Sequence, residues 1–263
     1  MRVLRISGLV LMVLSLGVGI SYAQTAKECY DKGIEYGSQG RFEEVEEEFK
    51  KALKIDQFYV PAEAGLKIIE DVLEKRVKNE FAIHLFKGAA YDSKGMFDEA
   101  IAECKKAIAI NPNYAEAHTN LGLAYYNKGM FDEAIAECKK AIAINPNSAE
   151  AHNNLGLAYG DKGMFDEAIA EYKKAIAINP NSAEAHYNLG LAYYNKGMWD
   201  EAIAEYKKAI AINPNYAKAH NNLAVVYYEQ GQYDLAIKHC DKAIELGGKV
   251  HPEFLEALKP YRK

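Results

Sequence analysis

The stretch AEAHTNLGLAYYNKGMFDEAIAECKKAIAINPNS, residues 115–148, is followed at once by AEAHNNLGLAYGDKGMFDEAIAEYKKAIAINPNS, residues 149–182. The two differ at four positions: Thr119 against Asn153, Tyr126 against Gly160, Asn127 against Asp161, and Cys138 against Tyr172. The tripeptide Asn-Pro-Asn that closes them recurs at Asn111, Asn145, Asn179 and Asn213, with 34 residues in each interval. Internal repetition at such a period outranks every other fold signal. Each unit reads as two amphipathic helices. Gly129 interrupts between them, and Pro146 stops the second, because proline lacks the amide donor and clashes with the preceding turn.

Composition agrees with a folded, mildly acidic chain. Of 263 residues 49% are apolar and 26% charged, which excludes disorder, collagen and a polytopic membrane protein. With 32 Lys and Arg against 37 Asp and Glu the net charge is -5, so no global basic field holds a polyanion and nucleic acid is not an expected partner. The amino terminus reads separately. Arg2 and Arg5 precede an apolar run from Ile6 to Ile20, then Ser21, Tyr22 and Ala23. Fifteen helical residues rise about 22 Å, short of the roughly 30 Å hydrocarbon core. Small residues at Ser21 and Ala23 fit a cleavage site, so residues 1–23 are read as a bacterial Sec-type signal peptide. Cleavage after Ala23 removes two cations and no acid, leaving a mature chain of net charge -7. The expected destination is the periplasm or the exterior, with no stable membrane span after cleavage; the alternative is an anchor formed by the uncleaved helix.

Leu121, Gly122, Tyr125, Ala134 and Pro146 sit at the spacing of the tetratricopeptide repeat (TPR), with Cys138 where an aromatic is usual. The pattern returns at Leu155, Gly156, Tyr159, Ala168, Tyr172 and Pro180, and at Leu189, Gly190, Tyr193, Ala202, Tyr206 and Pro214. The chain thus resembles the TPR family over repeats 26–59, 81–114, 115–148, 149–182, 183–216 and 217–250. The resemblance implies an all-α fold, a right-handed α-solenoid of helix-turn-helix units whose first helices line a concave groove. Small residues at the Gly122 and Ala134 positions let the two helices of a unit approach closely, and stacking buries what one hairpin cannot bury alone. Residues 60–80 look like a first helix without a second, forming either an extra helix or a continuation into the helix near Phe81. Residues 251–263, with Phe254, Leu255 and Leu258 at helical spacing, look like a C-terminal capping helix. The repeats are similar to those preceding the transferase domain of O-linked N-acetylglucosamine transferases, without room for such a domain.

Chemistry has little support. His84, His118, His152, His186 and His220 share one repeat position, but neighbouring helices lie roughly 8–10 Å apart, too far for consecutive histidines to share an ion, so they read as packing residues. Cys104, Cys138 and Cys240 likewise share a position and, with Cys29, read as unbridged thiols. Asp132, Glu133 and Glu137 with Lys139 and Lys140 read as a solvated outer face. No phosphate loop or nucleophile elbow is present, and no enzyme activity, metal or cofactor is expected.

The resemblance implies that repeat positions 2, 5, 6, 9, 12 and 13 of each first helix face the groove. Position 6 is Asn120, Asn154, Asn188 and Asn222. An asparagine offers one acceptor and two donors, matching a peptide group without reading its side chain. Either the row grips an extended segment, or asparagine is a common choice in consensus-like repeats. Three of the four differences between units 115–148 and 149–182 fall at groove positions, Thr119 and Asn153 among them. Tyr126, Tyr187, Tyr194 and Tyr228 add amphipathic contacts. The groove does not resemble the carboxylate clamp of chaperone-binding TPR domains, since position 9 is Leu123, Leu157 and Leu191 and position 2 is Glu116, Glu150 and Glu184. A neutral or basic protein segment is the expected ligand. The expected function is an exported scaffold or adaptor in the cell envelope, the alternative a self-assembling homo-oligomer.

Overall fold

A computed structural model describes residues 26–55 and 60–262, all helices and turns; the expected leader, residues 1–23, lies outside the described residues. The chain divides into two compact units after Lys128. The first holds α1 (26–38), α2 (Phe42–Ile55), α3 (Val60–Leu73), α4 (Asn79–Ser93), α5 (Phe97–Ile110) and α6 (Ala115–Asn127). The second holds α7 (Phe131–Ile144), α8 (Ala149–Asp161), α9 (Phe165–Ile178), α10 (Ala183–Asn195), α11 (Trp199–Ile212), α12 (Ala217–Glu229), α13 (Tyr233–Glu245), α14 (Pro252–Leu258) and a closing 3₁₀ turn, Lys259–Tyr261. Each unit is a stack of helix-turn-helix hairpins, the α-solenoid architecture, and the second ends in a capping helix.

The recurring tetrapeptide Asn-Pro-Asn-Ser explains the hairpin boundaries atom by atom. Pro146 forces Asn145 into extended backbone (φ -129, ψ 92), which ends α7. The Asn145 Oδ1 accepts the Asn147 amide at 3.1 Å, and Ser148 Oγ accepts the Ala151 amide at 3.2 Å, capping α8. Asn179 and Ser182 repeat both bonds before α10. Inside each hairpin the turn passes through a left-handed residue, Gly163 and Gly197 both at φ +75; nothing lies within 4 Å of a Cβ built there, so backbone conformation alone selects glycine.

Close approach selects glycine elsewhere. A Cβ on Gly156 would stand 2.6 Å from the Tyr172 ring, and one on Gly190 2.7 Å from the Tyr206 ring. The aromatic of the second helix lies flat where the first helix has no side chain, with Ala168 and Ala202 fully buried alongside. In the first unit, Gly88 faces the smaller Cys104 Sγ instead, at 2.6 Å.

The histidines do more than pack. His152 Nδ1 lies 2.6 Å from Glu171 Oε2 and its Nε2 3.2 Å from the Pro146 carbonyl oxygen; His186 meets Glu205 at 2.6 Å and Pro180 at 3.3 Å. Both ring nitrogens therefore face oxygen atoms, one of the Glu carboxylate and one of the proline carbonyl. Each histidine staples its own helix to the second helix of the hairpin and to the preceding loop. This corrects the reading of the Glu137-type position as solvated surface: Glu205 is buried and the Glu171 carboxylate side chain is 12% exposed. The position turns inward because it lies on the face of the second helix that meets the first. Burial opposes the Glu171 charge, but hydrogen bonds from Lys174 and His152 outweigh it and hold the carboxyl below its ordinary range. The outer acids and lysines also link repeats. Lys162 pairs with Asp132 and Lys196 with Asp166, while Lys173 and Lys207 lie 5.6 Å above the rings of Tyr193 and Tyr227.

The last hairpin breaks the pattern. His239 stands where the others have glutamate, its Nδ1 3.0 Å from His220 Nδ1, and the rings stack at 5.2 Å. His220 Nε2 is committed to the Pro214 carbonyl at 3.2 Å, so its Nδ1 accepts and His239 donates, an arrangement that two imidazolium ions cannot form. Burial and the neighbouring His220, with Lys238 and Lys207 adding to them, push His239 down to about 4. The cap closes this end. Leu258 is fully buried, Tyr261 stacks on Tyr233 at 3.5 Å, and Arg262 grips Asp241 through two nitrogens at 2.6 and 3.1 Å.

In the first unit the Phe49 ring fills the space left by Gly33 and Gly65, and Ile68, Ile69 and Val72 of α3 join Val45, Phe81 and Phe86 in one core. Helix α3 is separate from α4: it ends at Leu73, and Lys75 turns the chain in left-handed backbone (φ 58). Its polar side reaches the start of α6, where the Tyr114 hydroxyl donates to Asp71 at 2.7 Å and Lys67 lies 3.8 Å from Glu116.

Two stability predictions follow from this packing. Gly156→Ala should cost about 1–3 kcal/mol by overpacking against Tyr172. Gly160→Ala, whose Cβ would meet only ordinary contacts at 3.8 and 4.0 Å, should be neutral or stabilising, and urea midpoints compare the two. For His239 the folded pKa of about 4 lies below the unfolded 6.5, so the unfolded chain binds more protons between them and stability falls as the pH drops through that window. Between pH 7 and 5 the loss should be on the order of 1–2 kcal/mol, and His239→Glu, which recreates the His–Glu staple, should remove most of it in the same urea titrations.

Candidate functional site

In the second unit the first helices α8, α10 and α12 present corresponding side chains one after another. Asn153, Asn154, Leu157 and Gly160 belong to α8, Tyr187, Asn188, Leu191 and Tyr194 to α10, and Asn221, Asn222, Val225 and Tyr228 to α12. The position-6 amides form a network with the preceding repeat. Asn188 Nδ2 donates to Asn153 Oδ1 at 3.1 Å, and Asn222 Nδ2 donates to the Tyr187 hydroxyl at 3.2 Å and the Tyr206 hydroxyl at 3.5 Å. Asn221 Nδ2 in turn donates to Asn222 Oδ1 at 3.3 Å. Amides and phenols are thus held in fixed rotamers by one another.

Two atoms in this row have no protein partner: Asn154 Nδ2 and Asn221 Oδ1, both buried. The first has a cause in the repeat register. Asn222 finds the Tyr206 hydroxyl 16 residues earlier, and 16 residues before Asn154 stands Cys138, whose short side chain offers no hydroxyl. A buried donor left unpaired costs about 1–3 kcal/mol. Sequence reasoning singled out position 6 but not this partnership, although the alternation of Cys138, Tyr172 and Tyr206 was its visible signal.

The remaining expected site residues fall differently. Thr119, Asn120 and Tyr126 lie on α6 in the first unit; Thr119 is buried and donates to its own helix at the Ala115 carbonyl, 3.1 Å away. Tyr228 packs edge-on against Phe254 at 5.6 Å and Tyr261 at 6.2 Å, so the C-terminal segment covers it. Tyr187 has rings on two sides, Tyr206 at 5.8 Å and Tyr216 at 5.2 Å. Beside it, one helical turn earlier, solvent reaches Glu184, yet the surrounding protein desolvates the carboxyl and raises its pKa, with Lys218 opposing. Leu157, Leu191 and Val225, half-buried, line the same helices.

Peptide-like donors and acceptors beside apolar and aromatic surface suit a polypeptide ligand. Among the described residues no group of three or more His, Cys, Asp and Glu could hold a metal ion, and no helix is long and apolar enough to cross a membrane. Burial pushes the Cys104 and Cys138 thiols up to about 12, the reverse of nucleophile activation.

Family patterns described as "TPR repeat" match residues 88–129, 161–197 and 193–231, and others described as "Tetratricopeptide repeat" match 26–59, 115–148, 137–170 and 217–247. None of these describes an enzyme. Among solved structures, a crystal structure of MamA is 36% identical, with a TM-score of 0.55 over 61% of this chain and 94% of that one. PilF of Pseudomonas aeruginosa, at 23% identity, shares the fold with a TM-score of 0.61 over 65% of this chain and 78% of that one. MamA of Desulfovibrio magneticus RS-1, also 23% identical, gives 0.57 over 65% and 97%. No curated protein matches. The repeats, the hairpins that they build and these matches agree: the chain belongs to the tetratricopeptide-repeat family.

Proposed function

We propose that this protein is a non-catalytic scaffold, exported by its leader to the periplasm or exterior, that binds an extended protein segment across α8, α10 and α12. The observation that carries the reading is the row of Asn153, Tyr187, Asn221 and Asn222, half-buried and fixed by hydrogen bonds to one another and to the buried Asn188. A peptide group complements these half-buried amides and the Tyr187 phenol, and Leu157, Leu191 and Tyr194 offer apolar contact to alternate side chains. Glu150 favours a neutral or basic segment over an acidic one.

Self-association is the second reading, through the repeat ends or the 60–80 helix. It has less support, because α14 and the 3₁₀ turn cover the last hairpin and the apolar side of α3 is buried in its own unit.

Crosslinked capture from the native extract should recover a protein with residues 24–263, and Asn→Ala at 120, 154, 188 and 222 together should abolish it while circular dichroism shows the helices intact. Equal capture by the two proteins contradicts the reading, and a concentration-dependent oligomer in ultracentrifugation favours the second. Intact mass of the exported protein should begin at Gln24; a chain retaining residues 1–23 contradicts leader removal.

A further inference from the structure

The repeat period allows one surface to be compared with itself 102 residues, three periods, away. In the first unit Ile110, Tyr114 and Glu116 lie at the junction of α5 and α6, and α3 rests there. Ile110 packs into the apolar cluster that holds Ile68, Ile69 and Val72, the Tyr114 hydroxyl donates to Asp71 at 2.7 Å, and Lys67 stands 3.8 Å from Glu116. One amphipathic helix thus covers an isoleucine, pairs a phenol and meets a charge.

The corresponding residues of the second unit, at the junction of α11 and α12, are Ile212, Tyr216 and Lys218. The tyrosine is built in alike: Tyr114 packs on Phe81 of α4 at 4.8 Å, Tyr216 on Tyr187 of α10 at 5.2 Å. The covering helix differs, and Glu184 stands where the first unit has Ala82. Ile212 is 37% exposed, as Ile144 is at the same position, and among the described residues the Tyr216 hydroxyl has no hydrogen-bond partner, while Lys218 acts on Glu184 without an ion pair within 4 Å. Both neighbouring repeats place serine where these tyrosines stand, Ser148 and Ser182, and use it to cap the next helix. A tyrosine there gives up that cap; at Tyr114 the compensation is the α3 contact.

We propose that the surface formed by Ile212, Tyr216, Lys218 and Glu184 docks an amphipathic helix of a partner protein, as α3 docks on the first unit, with a carboxylate of that helix accepting from Tyr216 and a second carboxylate meeting Lys218. The charge at the third position is inverted, Lys218 for Glu116, so the occupant carries an acid where α3 carries Lys67. That inversion, and the burial of α3 in its own unit, exclude α3 of a second copy as the occupant. The site adjoins the asparagine row, Tyr216 packing on Tyr187, but its contacts are made by Ile212, Tyr216 and Lys218 and its occupant is helical rather than extended.

The probe is a synthetic helix of residues 60–76 with blocked ends, fluorescently labelled, in two forms: native and Lys67→Glu. Anisotropy titration against the full mature chain should show saturable binding of the Lys67→Glu form, about two- to fivefold tighter than the native form, with Tyr216→Phe weakening it by a similar factor. Lys218→Glu should reverse the preference in favour of native Lys67, a swap that loss of folding cannot produce. The four-asparagine variant should bind both probes unchanged, so failure here is distinguishable from failure of the extended-segment reading. Absence of saturation up to about 1 mM, or equal affinity of the two forms for wild type and Lys218→Glu, overturns the proposal. So does a dimer in ultracentrifugation that Tyr216→Phe dissociates, which would assign the surface to a second copy.

Discussion

The ring of Tyr206 lies against Gly190 while its hydroxyl reaches Asn222, so one side chain sets how closely the two helices of a hairpin approach and how the next hairpin presents its amide. Packing and recognition are therefore not separable at this position. A bulky residue in place of the glycine would displace the ring, and loss of the phenol would release the amide. The consequence of losing that phenol is already written into the chain, where Cys138 precedes the unpaired Asn154.

The same interdependence runs through the histidines. His152 and His186 each meet a proline carbonyl and a glutamate, holding the loop, first helix and second helix together with hydrogen bonds that water scarcely reaches. A buried pair of this kind is worth little beyond a well-packed apolar one, but removing one partner is costly, so it fixes geometry more than it adds stability. At the C-terminal hairpin the acid is exchanged for His239, and the staple becomes neutral and acid-labile.

Much of this was legible in the sequence because the period repeats one environment many times. The turn glycines, the Asn-Pro stops and the Gly156/Tyr172 complementarity all follow from residue type at fixed spacing. What the sequence withheld were contacts between positions 16, 19 or 35 residues apart, which depend on side-chain directions within and between stacked hairpins. Asn222 to Tyr187, Asn188 to Asn153 and the inward turn of Glu171 are of this kind. Helix α3 was ambiguous for a different reason: it has no periodic partner, and its end depends on a single left-handed residue, Lys75.

The central claim is that the amide and phenol row of α8, α10 and α12 is a binding surface rather than only an internal brace. The most direct measurement follows the asparagine side-chain NH₂ resonances by NMR while the captured partner segment is titrated in. The account predicts that the half-buried Asn153, Asn221 and Asn222 shift and become protected from exchange. Perturbations confined to residues exposed on the second helices, such as Ala170 and Ala204, with the asparagine signals unmoved, would contradict it.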